Sequence, residues 1–305
     1  MKFLLKVLLL GLGVHGMECS AQTVSGNISG YDFVDLGLPN GVKWATYNVG
    51  ATKPEEYGNH FAWGETEPKN DYSWKTYKWC KGSQYDLTKY CSSSDYGTVD
   101  KKTTLEAEDD AATKNWGNNW RMPTAKEAKD MKEGCTWEWT DDFNGSGIAG
   151  RIGTSKTNGN IIFLPASGYR EDKKSSYGGN SANYWMSSLY WDSFTAYDLE
   201  FSKSINIALR CDNRYMGYSV RAVSTKNATG VPTISNQALQ VYTENGAIHI
   251  NNAQANASIQ VSDLNGKVVT SATTDCHGNS TITLPDSKGA FVITVRGQST
   301  KVIIK

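Results

Sequence analysis

Outside its N-terminal apolar stretch the chain carries three histidines, His60, His249 and His277, and five cysteines, Cys80, Cys91, Cys135, Cys211 and Cys276. Nucleophilic catalysis of the Ser-His-Asp or Cys-His kind needs a base beside its nucleophile, and before residue 225 only His60 could serve. His60, next to Phe61, reads most simply as a turn residue. The sequence contains no Gly-x-Ser-x-Gly elbow, phosphate-cradling glycine loop or His-Glu-x-x-His helix. No two cysteines stand at Cys-x-x-Cys spacing, which argues against zinc or redox chemistry through sulfur. Cys80 and Cys91 bracket a short polar loop and are the pair that spacing favours, while the odd count leaves connectivity open. Glu65 and the Asp109-Asp110 pair are the remaining acidic candidates. Nothing in the sequence sets two carboxylates across one cleft, as acid-base hydrolysis requires, so they read as structural groups. No catalytic residue, metal ligand or cofactor is expected.

The residue types between Trp185 and Tyr218 suit recognition instead. Tyr190, Trp191 and Phe194 precede a stretch where Asp198, Glu200, Asn206 and Arg210 alternate with apolar positions, and Asp212, Asn213, Arg214, Met216 and Tyr218 follow. Rings bury contact area at low entropy cost, and amide, acid and guanidinium groups set orientation. These twelve residues are the expected ligand-binding set.

Strands must position them. Tyr197, Leu199 and Phe201, then Ile205, Ile207 and Leu209, recur at every second residue, which sends one face to a core and leaves the other to present the polar set. Tyr31 to Ala45 reads as strand, turn and strand. Thr103 with Glu106 forms one capping-box pattern and predicts a short helix over Leu105 to Lys114, with Asp109 and Asp110 on its wet side. Thr124 with Glu127 forms a second and predicts a helix from about Ala125. Pro123 cannot continue a helix behind it, so Trp120, Arg121 and Met122 should run extended against the body of the protein. Arg121 and Arg221 are expected to tie loops to the core through their fork of donors.

The segment Trp120-Arg121-Met122-Pro123-Thr124-Ala125-Lys126-Glu127 resembles the Trp-Arg-x-Pro-Thr-x-x-Glu motif of formylglycine-generating-enzyme-like and Fibrobacter succinogenes major paralogous domains. The resemblance extends to Val34 to Pro39, Lys43-Trp44-Ala45, Asn48 to Ala51, Phe61 to Thr66, Phe163 to Arg170 and Ser219 to Val223. It implies a C-type-lectin-like fold that presents a ligand through loops and a small sheet. The copper chemistry of the formylglycine-generating enzyme needs two cysteines near the end of the domain, and only Cys211 lies there. Glu67-Pro68-Lys69 and Trp191-Asp192-Ser193 also depart from the calcium motifs of lectins, with a lysine where a ligand oxygen belongs.

The whole chain bounds these readings. Its 305 residues, 39% hydrophobic, suffice for a medium domain and a small one. With 31 basic and 31 acidic side chains it lacks the electrostatic footprint of a nucleic-acid partner. The order basic, apolar, small from Met1 to Ala21 reads as a signal peptide, with cleavage after Ala21. No later run is long enough for a transmembrane segment. All ten tryptophans fall between Trp44 and Trp191, and residues 225–236 are polar with Gly and Pro punctuation, as in a linker. Residues 237–305 read as about seven short strands with turns at Asn245-Gly246 and Asn265-Gly266, an antiparallel sandwich. Val261 to Val269, Leu284-Pro285 and Lys288 to Val295 resemble the C-terminal sorting domain of type IX secretion, which implies a secretion-machinery partner.

The expected architecture is therefore α+β: a signal peptide over 1–21, a C-type-lectin-like domain over 29–224, a linker over 225–236 and a small all-β immunoglobulin-like sandwich over 237–305. The expected function is non-enzymatic binding of a glycan or protein ligand at the cell exterior, secreted or on the outer surface. The alternatives are a formylglycine-generating-type enzyme with an unrecognised site, and a structural or adhesive subunit without a discrete ligand.

Overall fold

The computed structural model describes residues 21–226, 239–253, 257–275, 278–284, 288–295 and 297–304. Residues 1–20 of the expected signal peptide, with Cys19, and Cys276, His277 and most of the expected linker lie outside them.

Among the described residues strands account for 42% and helices for 8%, so the protein is nearly all-β with several small sheets. This overturns the expected α+β architecture with a lectin-like domain. Part of the reason lies at Asp109 and Asp110. Both are buried, not wet. The segment that spacing assigns to one helix breaks into a short 3-10 turn, Ala107–Asp109, and a six-residue helix α1, Ala111–Trp116. Asp110 turns between them in extended geometry and caps α1 by accepting from the Thr113 amide at 2.8 Å. Glu106 makes no side-chain cap.

Among the described residues only α2, Ala125–Gly134, exceeds two turns, and it follows the sequence signal. The Glu127 amide donates to Thr124 Oγ1 at 3.2 Å, and the Thr124 amide donates to Glu127 Oε2 at 2.8 Å. The Arg121 guanidinium grips both oxygens of the same carboxylate, at 2.8 and 2.5 Å. Ala128 and Met131 are the residues of α2 that enter the core.

A five-stranded sheet runs Ala208–Asn213, Thr195–Ser202, Ser181–Leu189, Tyr218–Ser219 and His60–Phe61. The contact between Ser181–Leu189 and Tyr218–Ser219 is parallel and the rest are antiparallel. Side chains alternate across it. Tyr184, Leu199 and Phe201 join one core cluster with α2, and Trp185, Ala196 and Tyr218 join a second with Trp63 and Trp120. Ile205, expected on the apolar face, is instead exposed in the turn before Ala208. A four-stranded sheet (Gly26–Ile28, Tyr31–Asp35, Lys43–Ala45, Val223–Ser224), a three-stranded one (Cys135–Thr140, Gly150–Ser155, Ile161–Pro165) and a two-stranded one (Tyr169–Glu171, Lys174–Ser176) make up the rest of the described sheets before residue 226.

Among the described residues from Gln240 to Ile304 seven strands form sheets of three and four. Both sheets supply one apolar cluster that includes Ile248, Ile250, Ile259, Val261, Ile293 and Ile304. Asn245 and Gly246 both have positive φ, 52° and 77°, as the two-residue turn between Gln240–Glu244 and Ala247–Asn251 requires. No helix among the described residues is long and apolar enough to cross a membrane.

Candidate functional site

Cross-strand register decides which expected binding residues meet. Asp198 stands opposite Trp185 on one side and Arg210 on the other, Glu200 opposite Asn183, and Asp212 opposite Ala196. Asn183, Asp198, Glu200, Arg210 and Asp212 therefore share one sheet face. Arg210 is exposed and lies 3.5 Å from Glu200. Asp198 is fully buried. Its Oδ2 accepts from Asn183 Nδ2 at 2.7 Å, while its Oδ1 has no hydrogen-bond partner. Burial pushes the Asp198 carboxyl up to about 8; the negative charges of Asp212 and Glu200 add to the rise, and the Asn183 bond and Arg210 oppose it. Tyr218 closes the inner end of this face. Its ring stacks on Trp185 at 4.4 Å, and its hydroxyl donates to Asp212 Oδ2 at 2.6 Å. Burial, with Asp212 behind it, drives that phenol well above its ordinary range.

Tyr190, Trp191 and Phe194 lie in the turn that joins Ser181–Leu189 to Thr195–Ser202. Asp192 fixes the turn by accepting from the Thr195 amide and hydroxyl, at 2.9 and 2.7 Å. Trp191 is left 78% exposed, the most exposed of the large hydrophobic side chains.

Four of the expected residues face inward. Asp198 and Tyr218 are buried as described, and Met216 belongs to the core cluster around Trp63. Arg214, fully buried, corrects the expectation most sharply. Its guanidinium donates to the carbonyls of Lys89, Tyr90 and Ser193 at 3.0, 3.0 and 2.8 Å and to Tyr77 Oη at 2.9 Å. The Trp63 ring lies 4.9 Å from its centre. It is a clamp between the turn at Ser193 and the loop at Lys89-Tyr90. Asn206 sits apart in the far turn, and Asn213 points to the opposite face, being paired with Thr195.

The other candidates for chemistry are accounted for locally. His60 is a strand residue, not a turn residue. Its Nε2 lies 3.2 Å from the Ser167 carbonyl, and burial pulls its pKa down to about 4. Glu65 is buried and accepts from Lys69 Nζ and the Lys78 amide, at 2.9 and 2.8 Å. Glu106, Glu108 and Asp109 bring ligand atoms within 4.8 Å of one another. Lys89 Nζ already stands among them, at 2.7, 3.1 and 2.5 Å, so an ammonium holds the place a metal would need. Cys80 and Cys91 are both free, against the expected pairing. The Cys80 thiol donates to the Trp74 carbonyl at 3.1 Å and the Cys91 thiol to that of Ser93 at 3.0 Å, which turns each sulfur into its own loop.

Sequence reasoning missed Asn183 and the loop tyrosines Tyr85 and Tyr96. Asn183 precedes the regular alternation and becomes visible only through register. The tyrosines carry a fainter signal, being rings flanked by polar residues in Gln84-Tyr85-Asp86 and Asp95-Tyr96-Gly97, a setting with no apolar face to join.

Residues 228–304 match the family described as Domain of unknown function (DUF6383). Among curated proteins none matches the chain. Among solved structures the chain is similar to PorZ, an essential bacterial surface component of the type-IX secretion system of Porphyromonas gingivalis. The identity is 10%, over 54% of this chain and 29% of that chain, with a TM-score of 0.20. A likeness at this score transfers neither fold nor activity. The paralogous-domain resemblance of residues 31–223 has no counterpart in these matches.

Proposed function

We propose that the chain is a non-enzymatic binding protein of the cell exterior, secreted or held on the outer surface. In this reading residues 29–224 recognise a glycan or protein ligand through the sheet face and turn at residues 190–218, and residues 237–305 serve as an address read by secretion machinery. The observation that carries the reading is the gathering of Asn183, Glu200, Arg210 and Asp212 on one sheet face whose strands end in the exposed Trp191 turn. An exposed indole beside a mixed polar face is the composition of contact surfaces that combine ring area with oriented hydrogen bonding. The signal-peptide pattern and the sorting-domain resemblance support the location.

The test is a screen of the full chain against arrayed glycans and surface glycoproteins, beside a variant carrying Trp191→Ala and Arg210→Ala. Tyr218 stays intact in that variant because it belongs to the core. Saturable binding that weakens by about tenfold or more in the variant is the expected result. Binding that is indifferent to both substitutions would remove this face from consideration.

A further inference from the structure

Two segments far apart in sequence meet beside the exposed turn. The ring of Tyr85 stacks on Tyr96 with centroids 6.1 Å apart and planes 14° from parallel, and Tyr96 meets Phe194 at 5.1 Å. Tyr85 is 61% exposed and Trp191, in the same turn as Phe194, 78%. A contiguous group of exposed rings, unlike a lone one, marks a surface suited to contact. Their positions are fixed from below. Ser92 donates its amide to Ser193 Oγ at 2.9 Å, and the Arg214 clamp joins the same two segments. Between the rings the Leu87 amide donates to the Tyr96 carbonyl at 2.8 Å. Gly97 lies so close that a Cβ on it would stand 2.1 Å from the Leu87 carbonyl oxygen, which sets the Tyr85 to Tyr96 spacing in backbone.

We infer that Tyr85, Tyr96 and Phe194 form a stacking track for a neutral saccharide. The inference rests on the binding function proposed above and names its ligand class. The faces of sugar rings present C–H bonds of partial positive charge, which suit the negative π face of an aromatic ring, while their hydroxyls need polar neighbours at the rim. The same loop carries polar Gln84, Ser92, Ser94 and Thr98 near the two tyrosines in sequence. Asp86 and Asp95, both exposed, repel an anionic polymer and leave a neutral one.

The full chain, titrated with neutral cello-, xylo-, manno- and chito-oligosaccharides by calorimetry, tests this. At least one series should bind, with saturable heat. Tyr85→Ala with Tyr96→Ala should weaken binding by about tenfold or more, whereas Tyr85→Phe should leave it within about twofold, since stacking needs the ring and not the hydroxyl. Circular dichroism identical to the parent shows that each variant is folded. Sugar binding that survives the double alanine variant overturns the track. Binding of a glycoprotein's polypeptide alone, lost with Arg210→Ala, also overturns it but leaves the broader binding function standing. No binding of any sugar or protein overturns both.

Discussion

The sandwich from Gln240 to Ile304 and the sheets from Gly26 to Ser224 are both β, but they are held together by different means. In the sandwich, apolar residues alternate along nearly every strand and meet in one cluster. Among the described residues, Thr274 is the sole buried polar side chain beyond Ser224. The sheets before it bury Asn48, Asp109, Asp110, Asp198, Arg214 and Arg221, among others. Arg221 is one of them: its Nε donates to Asn48 Oδ1 at 2.9 Å, its Nη1 donates to the Ala45 and Thr46 carbonyls at 3.2 and 3.3 Å while Nη2 is buried without a partner, and burial pulls the group down to about 10. Short strands joined by long loops leave many backbone carbonyls outside any ladder, and buried donors must satisfy them. Regular pairing makes apolar packing sufficient; irregular pairing calls for polar clamps.

The comparison can be broken most forcefully at Arg214. Arg214→Ala leaves three carbonyls and the Tyr77 hydroxyl without their buried donor and should cost on the order of 4 kcal/mol in urea unfolding, with loosening of both loops in hydrogen exchange. In the sandwich, Ile293→Ala removes a fully buried side chain and should cost about 3 kcal/mol through its cavity, with no pH dependence. Asp198 sharpens the contrast. Its raised carboxyl keeps a proton in the folded state that the unfolded chain releases near its ordinary value, so its contribution to stability is present at low pH and is lost as pH rises toward about 8. Asp198→Asn should therefore abolish that loss, gaining roughly 2 kcal/mol above pH 8 and little near pH 4 in a pH series of denaturation midpoints. The smallest effect is expected at Thr124→Ala, about 1 kcal/mol from the lost cap of α2, readable as a modest drop in Tm.

The same contrast decides what could be read from sequence. Asn245-Gly246, the Thr124 and Glu127 pair and the alternation through Tyr197, Leu199 and Phe201 are local signals, and the structure follows each. Asp198 falls on the polar side of that alternation and reads as exposed. It is buried because Trp185 and Tyr218, brought in by strand pairing, cover its side of the sheet. Arg214 reads as a surface guanidinium because the carbonyls it serves lie more than a hundred positions away in sequence at Lys89 and Tyr90. Asp109 and Asp110 mislead for a related reason. Lys89 and the Tyr90 hydroxyl reach Asp109, at 2.5 and 2.7 Å, and the Met122 amide reaches Asp110 at 2.8 Å, so their partners are also distant.

The Arg214 clamp has a consequence for how this protein can change over generations. What it grips at Lys89, Tyr90 and Ser193 is main-chain oxygen, which every residue type supplies. Side chains at the exposed loop tips, Tyr85 and Trp191 among them, can be exchanged without loosening the grip, so the surface of this end can vary while the scaffold beneath it is inherited unaltered.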